Sequence, residues 1–387
     1  MDFVDDDEDV PTLVEVDSVV SKRIPVSILT GFLGSGKTTL LNYLLRHNHG
    51  KRIAIIENEF SSGLGIENMI AKSGVDGEDI AGFFELSNGC ICCSVKDDLL
   101  ATLEQLVLHK DRFDYVLIET TGVANPGPII SSLWADEEAE SALQLDGVVT
   151  VVDSVNILKY LADKDTSSDV KMQLAFADRI LLNKSDLLSQ DQMNVVESAV
   201  RGVNSSAEVR QTCYANVSPD WVLDARSYTT ADVSSVIAGA NCCGHSHDHS
   251  HGDHDHSHKD QSDVAHLASS LSTHGFSFPG QLDLGMLKVL LDGLLYSFSD
   301  ADGETGGHAA SGAISNSSTS EPKCRIFRMK GVFHVKGDNH LHILQAVHDV
   351  FDIQASSFCI GSENDTTGGE NKVIVIGKDI DNAFLES

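Results

Sequence analysis

The stretch Gly31-Phe32-Leu33-Gly34-Ser35-Gly36-Lys37-Thr38 fits G-x-x-x-x-G-K-[ST], and its flanks fix the local topology. Ile24-Pro25-Val26-Ser27-Ile28-Leu29-Thr30 before it is a short apolar, β-branched run that reads as a buried strand. Thr39-Leu40-Leu41-Asn42-Tyr43-Leu44-Leu45 after it reads as the first turns of a helix. Glycines let the backbone wrap closely around oxygen atoms, so several N–H groups point inward at a helix N-terminus that already favours negative charge. Residues Gly31 to Thr38 are therefore candidate phosphate contacts, with Lys37 reaching the β- and γ-phosphates and the Thr38 hydroxyl ligating Mg2+.

From residue 23 to about 227 the pattern alternates strand and helix. The strand candidates are Arg52 to Asn58, Ala81 to Leu86, Tyr115 to Glu119, Gly147 to Asp153, Arg179 to Asn183 and Glu208 to Tyr214. Helical candidates between them include Val95 to His109, Ile129 to Trp134 and Gln190 to Arg201. Such alternation predicts an α/β fold, a mostly parallel sheet with helices on both faces and ligands at the carboxyl ends of the strands. One of these strands ends in Glu119-Thr120-Thr121-Gly122. Its carboxylate is expected to hold Mg2+ directly or through a water, and a backbone N–H at Gly122 is expected to meet the γ-phosphate. Lys37, Thr38, Glu119 and Gly122 are thus the groups expected to act on the phosphates. Another strand ends in Asn183-Lys184-Ser185-Asp186. Guanine presents adjacent N–H donors that one carboxylate accepts together, so Asp186 selects GTP over ATP. Asn183 bonds elsewhere on the base or braces the loop, and the Lys184 stem covers the ring. None of these motifs supplies a general base, so hydrolysis is read as positional and slow until a client or metal completes the site.

Between the phosphate loop and Glu119 lies Asn88-Gly89-Cys90-Ile91-Cys92-Cys93. In an extended segment Cys90 and Cys92 point the same way, and Cys93 swings round as a helix begins near Ser94. Three thiolates so close make a compact soft site that suits Zn2+ or Cu(I), tolerates Co2+ and rejects Mg2+ and Ca2+. The fourth position is left to Glu59, water or a client ligand, as a donor of metal requires. Cys93 and Ser94, at the start of that helix, are also candidate nucleotide contacts.

The 387 residues carry 58 Asp and Glu against 27 Lys and Arg, a formal net charge of -31, with 41% hydrophobic residues. Length and apolar content allow two or three domains with real cores. The negative surface disfavours nucleic acid and anionic membranes as partners, and the acidic first residues are unlike a signal or transit peptide. The chain is thus placed in the cytosol or nucleus, where thiols stay reduced and clustered cysteines read as metal ligands or redox groups. Residues 1–22 read as an acidic arm in which Val10-Pro11-Thr12-Leu13-Val14 has the build of a short docking peptide. Residues 228–273 read as a flexible linker. Its run from His245 to His258 alternates imidazoles and carboxylates and is expected to hold metal in a labile, multivalent way.

Residues 274–387 read as a smaller C-terminal α/β domain, with 297–322 as a Gly- and Ser-rich insertion. Phe276 to Phe278, Cys324 to Val335 and Lys372 to Gly377 look like strands. Leu282 to Tyr296 looks like an amphipathic helix with Leu284, Leu287, Leu291, Leu294 and Leu295 on one side. His334, His340, His342 and His348 read as surface or core groups rather than ligands, and Cys213 and Cys359 as packing residues.

Gly31 to Thr39, Glu57-Asn58-Glu59-Phe60, Gly89 to Cys93, Glu119 to Gly122, Gln173-Leu174-Ala175-Phe176-Ala177-Asp178, Asn183 to Asp186 and Lys330-Gly331-Val332-Phe333 together resemble the CobW-type metallochaperone GTPases. The nearest subgroup is the eukaryotic zinc-regulated GTPase metalloprotein activators. The resemblance implies a P-loop GTPase domain with a C-terminal α/β domain. It implies GTP, Mg2+ and Zn2+ as ligands, with zinc held at Cys90, Cys92 and Cys93 and loaded into a client metalloenzyme. It further implies that Val10, Pro11, Leu13 and Val14 dock on a methionine aminopeptidase, although Glu15 stands where that subgroup often has proline.

Overall fold

β1 (Ile24–Thr30) is the strand around which the first sheet is laid, because both of its faces are apolar and nearly all of it is buried. The computed structural model describes residues 23–47, 49–57, 68–73, 84–85, 103, 106–108, 112–135, 142–229, 271–296, 324–361, 367 and 369–380. The arm at 1–22, Cys90, Cys92, Cys93 and Ser94, the histidine run at 245–258 and the insertion at 297–322 lie outside these residues.

Along the chain β1 is followed by α1 (Lys37–Arg46), β2 (Arg52–Glu57), β3 (Asn68–Ser73), β4 (Phe84–Glu85), β5 (Tyr115–Glu119), α2 (Gly127–Ala135) and β6 (Leu143–Asp153). Then come α3 (Ile157–Ala162), α4 (Ser167–Ala175), β7 (Arg179–Asn183), α5 (Gln190–Val203), β8 (Glu208–Gln211) and α6 (Pro219–Val222). These strands form one eight-stranded sheet in the order β4-β3-β2-β5-β1-β6-β7-β8. Pairing is parallel from β2 across to β8, and β3 and β4 add antiparallel strands at one edge. Successive side chains of a strand point to opposite faces, so the doubly apolar strands feed two cores. Val26, Ile28, Val116, Ile118 and Val148 pack on α2, α4 and α5, through Ile130, Leu174 and Val200. Leu29, Tyr115, Leu117, Val149 and Val151 pack on α1 through Leu40, Leu41 and Leu44. Each fully buried aliphatic side chain contributes about 1.5–3 kcal/mol. α5 is started by a reciprocal cap, Gln192 N–H donating to Ser189 Oγ and Ser189 N–H to Gln192 Oε1.

The remaining elements are β9 (Leu271–Pro279), α7 (Leu284–Tyr296), β10 (Arg325–His334), β11 (His340–Val347), β12 (Val350–Cys359) and β13 (Glu370–Lys378). They make a five-stranded antiparallel sheet in the order β12-β11-β10-β13-β9, with α7 on one face through buried Leu291 and Leu295. Leu282, expected in the helix, instead bridges Val335. From the other face Phe327, Val347 and Ile376 join the core of the first sheet. The mixed α/β architecture expected from the sequence is the one found, with β11 and β12 added to it. Cys213 and Cys359 are exposed rather than packed. Cys213 follows the end of β8, and Cys359 closes β12, where burial alternates and ends exposed. Among the described residues no helix is long and apolar enough to cross a membrane.

Candidate nucleotide and metal site

The phosphate loop leaves β1 and turns into α1 through three glycines with positive φ, 140° at Gly31, 72° at Gly34 and 111° at Gly36. L side chains rarely adopt such angles. A Cβ at Gly31 would come within 2.2 Å of the Val151 carbonyl oxygen, and one at Gly36 within 2.4 Å of Asn183 Nδ2. The loop is therefore pressed against the strand ends on one side while Gly34 faces open space. Ser35 Oγ, close to Gly31, is buried without a hydrogen-bond partner among the described residues. The Lys37 ammonium is buried and donates to the Gly31 carbonyl at 2.7 Å. Burial pulls its pKa down, with the Glu119 carboxylate acting the other way. A helix N-terminus free of acidic residues, a desolvated cation and glycine backbone together suit a polyphosphate.

β5 delivers Glu119 to the same place, where it accepts a hydrogen bond from Thr38 Oγ1 at 3.3 Å. Two oxygen ligands side by side at a phosphate loop fit Mg2+. The next residue, Thr120, is tied back to β1 by its N–H to the Leu29 carbonyl at 2.9 Å and its hydroxyl to Thr30 Oγ1 at 2.9 Å. Gly122 then meets the phosphate loop, where a Cβ would stand 2.8 Å from Leu33 N. Lys37, Thr38, Glu119 and Gly122 are thus brought together.

At the end of β7, Asn183 braces two loops, donating to the Ser35 carbonyl at 2.9 Å and accepting from Ala215 N–H at 2.9 Å. These bonds are of the loop-bracing kind. Lys184 has φ 61° and its ammonium bonds Asp153 Oδ2 at 2.7 Å. Burial alone would raise the Asp153 pKa, but the bonds from Lys184 and Asn156 outweigh it and hold the carboxyl below the usual range. Asp186 lies exposed just beyond, in a short turn at Ser185–Leu187. Ser185 donates from both N–H and hydroxyl to the Thr212 carbonyl, at 3.1 and 2.9 Å. Sequence reasoning missed Asp153 and the Thr212–Ala215 turn, in which Tyr214 is 78% exposed with φ 52°. A strand-end carboxylate was the available signal for Asp153, and the polar break after β8 was the signal for the turn.

The proposed metal ligands Cys90, Cys92 and Cys93, and Ser94 beside them, lie outside the described residues. β2 ends at Glu57, paired in register with Glu119 of β5. The cysteine-bearing segment follows β4, where Glu85 pairs with Asn68 of β3 and Met69 of β3 with Ile56 of β2, so it departs from the same end of the sheet as Glu119 but three strands away. The C-terminal histidines are occupied: His334 Nε2 bonds Thr367 Oγ1 at 3.1 Å, and His340 and His342 both bond Asp338 at 2.9 Å. His348 packs against Phe176 and Phe327. Among the described residues no His, Cys, Asp and Glu side chains are grouped to hold a metal ion.

Residues 25–211 match the family described as CobW/HypB/UreG, nucleotide-binding domain, and residues 308–387 match the cobalamin synthesis protein cobW C-terminal domain. A zinc-regulated GTPase metalloprotein activator 1 of Schizosaccharomyces pombe is 34% identical over 349 residues, covering 89% of this chain and 80% of that protein. A zinc chaperone CobW of Sinorhizobium is 37% identical over 199 residues, 46% of this chain and 55% of that one. The crystal structure of Zn(II)-bound YjiA GTPase from E. coli shares the fold at a TM-score of 0.60 and 24% identity, over 93% of this chain and 95% of that chain.

Proposed function

Because the chain belongs to the CobW/HypB/UreG nucleotide-binding family and is a GTP hydrolase, we propose that it couples GTP binding and hydrolysis to delivery of Zn2+ from Cys90, Cys92 and Cys93 to a client metalloenzyme. The observation that carries this reading is the register that sets Glu57 opposite Glu119. The thiol-bearing segment leaves β4 at this same end of the sheet, so the phosphate and metal sites are read as sharing that end, with the loop after Glu57 as the link between them. Amides of the α1 N-terminus and Lys37 hold the phosphate oxygens, Thr38 and Glu119 hold Mg2+, and Gly122 meets the γ-phosphate. Mg2+ supplies charge neutralisation at the β- and γ-phosphate oxygens. Asp186 takes the guanine N–H pair, while Lys184 and Ser185 form the floor of the base site and Cys93 and Ser94 approach the nucleotide from the thiol side. Val10, Pro11, Leu13 and Val14 dock the client, for which a methionine aminopeptidase is the first candidate, and the histidines of 245–258 gather metal near the thiolates.

For GTP to retune zinc affinity a hundredfold, the two nucleotide states must differ by about 2.7 kcal/mol in metal binding, and zinc must then change GTP affinity equally. Competition titrations of zinc against a chromophoric chelator, with GDP and with a non-hydrolysable GTP analogue, measure this directly. Changing all three cysteines to serine is expected to abolish the nucleotide-dependent part while leaving weaker histidine binding. Equal zinc affinities in the two nucleotide states would overturn delivery and leave a zinc-buffering protein.

Asp186→Asn is expected to weaken GTP binding by about a hundredfold, since the amide turns one acceptor into a donor facing a donor. Xanthosine triphosphate, with a carbonyl at position 2 of the base, is expected to gain on the same variant. Competition binding of the two nucleotides decides it, and an unchanged preference for GTP would remove Asp186 from the base site.

A further inference from the structure

Gln173, near the end of α4, is 1% exposed, and its carboxamide spans to the turn that follows Glu119. Nε2 donates to the Gly122 carbonyl at 3.0 Å and to the Ala124 carbonyl at 3.2 Å. Its own main-chain carbonyl accepts from Thr150 Oγ1 at 2.8 Å, which pins the residue to β6. Three and five residues on, the Phe176 carbonyl and Asp178 are gripped by Arg328 of the C-terminal sheet, so the base of the clamp is rigid. Both protons of one buried amide are therefore used on the main chain of a glycine turn lying against Leu33 of the phosphate loop. A buried donor pair that only needed partners has no reason to choose two carbonyls of the same turn, whereas a device for fixing that turn does.

We propose that Gln173 is a positioning residue for GTP hydrolysis: it holds the Thr120-Thr121-Gly122 turn in the shape that receives the γ-phosphate. The inference rests on the reading of Gly122 as a γ-phosphate contact, which the experiment tests separately. With the amide removed, the two carbonyls lose their donors and the turn relaxes. The γ-phosphate contact then weakens, while contacts to the α- and β-phosphates and to the base stay. Gln173→Glu adds a signature that a packing role lacks, because an ionised carboxylate donates to neither carbonyl and a protonated one donates to one of them.

The test uses the full chain and four proteins: wild type, Gln173→Met, Gln173→Glu and Gly122→Ala. The readouts are kcat, KM and the affinities for GDP and a non-hydrolysable GTP analogue, from pH 6 to 8.5. Gln173→Met is expected to lower kcat and the GTP-to-GDP affinity ratio about tenfold with GDP affinity unchanged. Gly122→Ala is expected to lower kcat and that ratio at least as much and, because its Cβ would press on Leu33 of the phosphate loop, to weaken GDP as well. Gln173→Glu is expected to match Gln173→Met at high pH and to recover relative to wild type as pH falls. If both Gln173 variants keep kcat and the ratio within twofold while Gly122→Ala loses them, the clamp is overturned and the γ-phosphate contact stands. If Gly122→Ala also keeps them, the contact and the clamp both fall. Parallel loss of GDP affinity and thermal midpoint in the Gln173 variants assigns them to packing and overturns the proposal. Should those variants not fold, hydrogen exchange of wild-type peptides covering 119–126 and 169–176 decides instead. Joint slowing with the GTP analogue relative to GDP supports the clamp, and slowing in the first alone overturns it.

Discussion

Lys37→Ala is expected to lower single-turnover GTP hydrolysis by about 10²–10³-fold, the range seen when one preorganised charge donor is removed from a transition state. Lys37 is 8% exposed and its ammonium is held at 2.7 Å from the Gly31 carbonyl and 3.5 Å from the Phe32 carbonyl, so it is already largely desolvated and held against the loop. A cation kept there with main-chain carbonyls around it gains most when phosphate oxygens arrive, because little water remains to be displaced. Lys37→Arg is expected to recover little, since a planar fork does not replace a compact ammonium in a pocket this close to backbone. Guanine recognition at Asp186 is remote from the change, so GDP binding is expected to fall far less than turnover. Rapid-quench hydrolysis alongside fluorescent-GDP binding separates the two effects, and turnover within threefold of wild type would remove Lys37 from the chemistry.

What the sequence made legible here is what short-range rules control. The phosphate loop was readable because only glycine accepts the φ of Gly31 and Gly36. The ends of β5 and β7 were readable to the residue because buried apolar runs stop at Glu119 and Asn183. β6 extends four residues further back than its apolar run, through Leu143, Gln144, Leu145 and Asp146. Asp146 is tolerated in a buried strand because Tyr115 OH, Ala225 N–H and Arg226 N–H, all distant in sequence, donate to it at 2.5, 2.6 and 2.9 Å. β11 and β12 were unread because their polar residues interrupt the pattern and their identity is set by register against β10. α7 shows the converse, since its leucine stripe was read correctly while Met286, Val289 and Leu290 stay exposed on its outer side. Gln173 was visible only as part of a family motif, because its purpose depends on carbonyls about fifty residues upstream.

The same long-range logic joins the two sheets, and there the second large effect is expected: Arg328→Leu is expected to cost about 3–5 kcal/mol of stability at neutral pH, the usual result of stranding one partner of a buried ion pair. Asp178 and Arg328 side chains are only 2% and 3% exposed. Arg328 donates to Asp178 and, at 2.5 Å, to the Phe176 carbonyl; Lys330 reaches the same carboxylate at 3.1 Å, and Val148 N–H donates to it at 3.0 Å. Burial by itself would raise the Asp178 pKa, but the Arg328 and Lys330 cations outweigh it and hold the carboxyl below its ordinary value. A group depressed in the folded state stabilises the fold above its unfolded pKa of about 3.9, and that contribution is lost as pH falls through the folded value. Urea unfolding at pH 7 and at successively lower pH is therefore expected to show wild type converging on Asp178→Asn in acid, with the gap fully open at neutrality. Arg328→Leu leaves Asp178 with the Lys330 cation but not the Arg328 one, so its deficit likewise shrinks in acid as the carboxylate becomes neutral. The paired change Asp178→Leu with Arg328→Leu is expected to recover only part of the loss, because it removes the stranded carboxylate but also takes from buried Lys330 the carboxylate it bonds. A deficit below about 1 kcal/mol at pH 7 in Arg328→Leu would mean that apolar packing by Phe327, Val347 and Ile376 holds the sheets together without the ion pair.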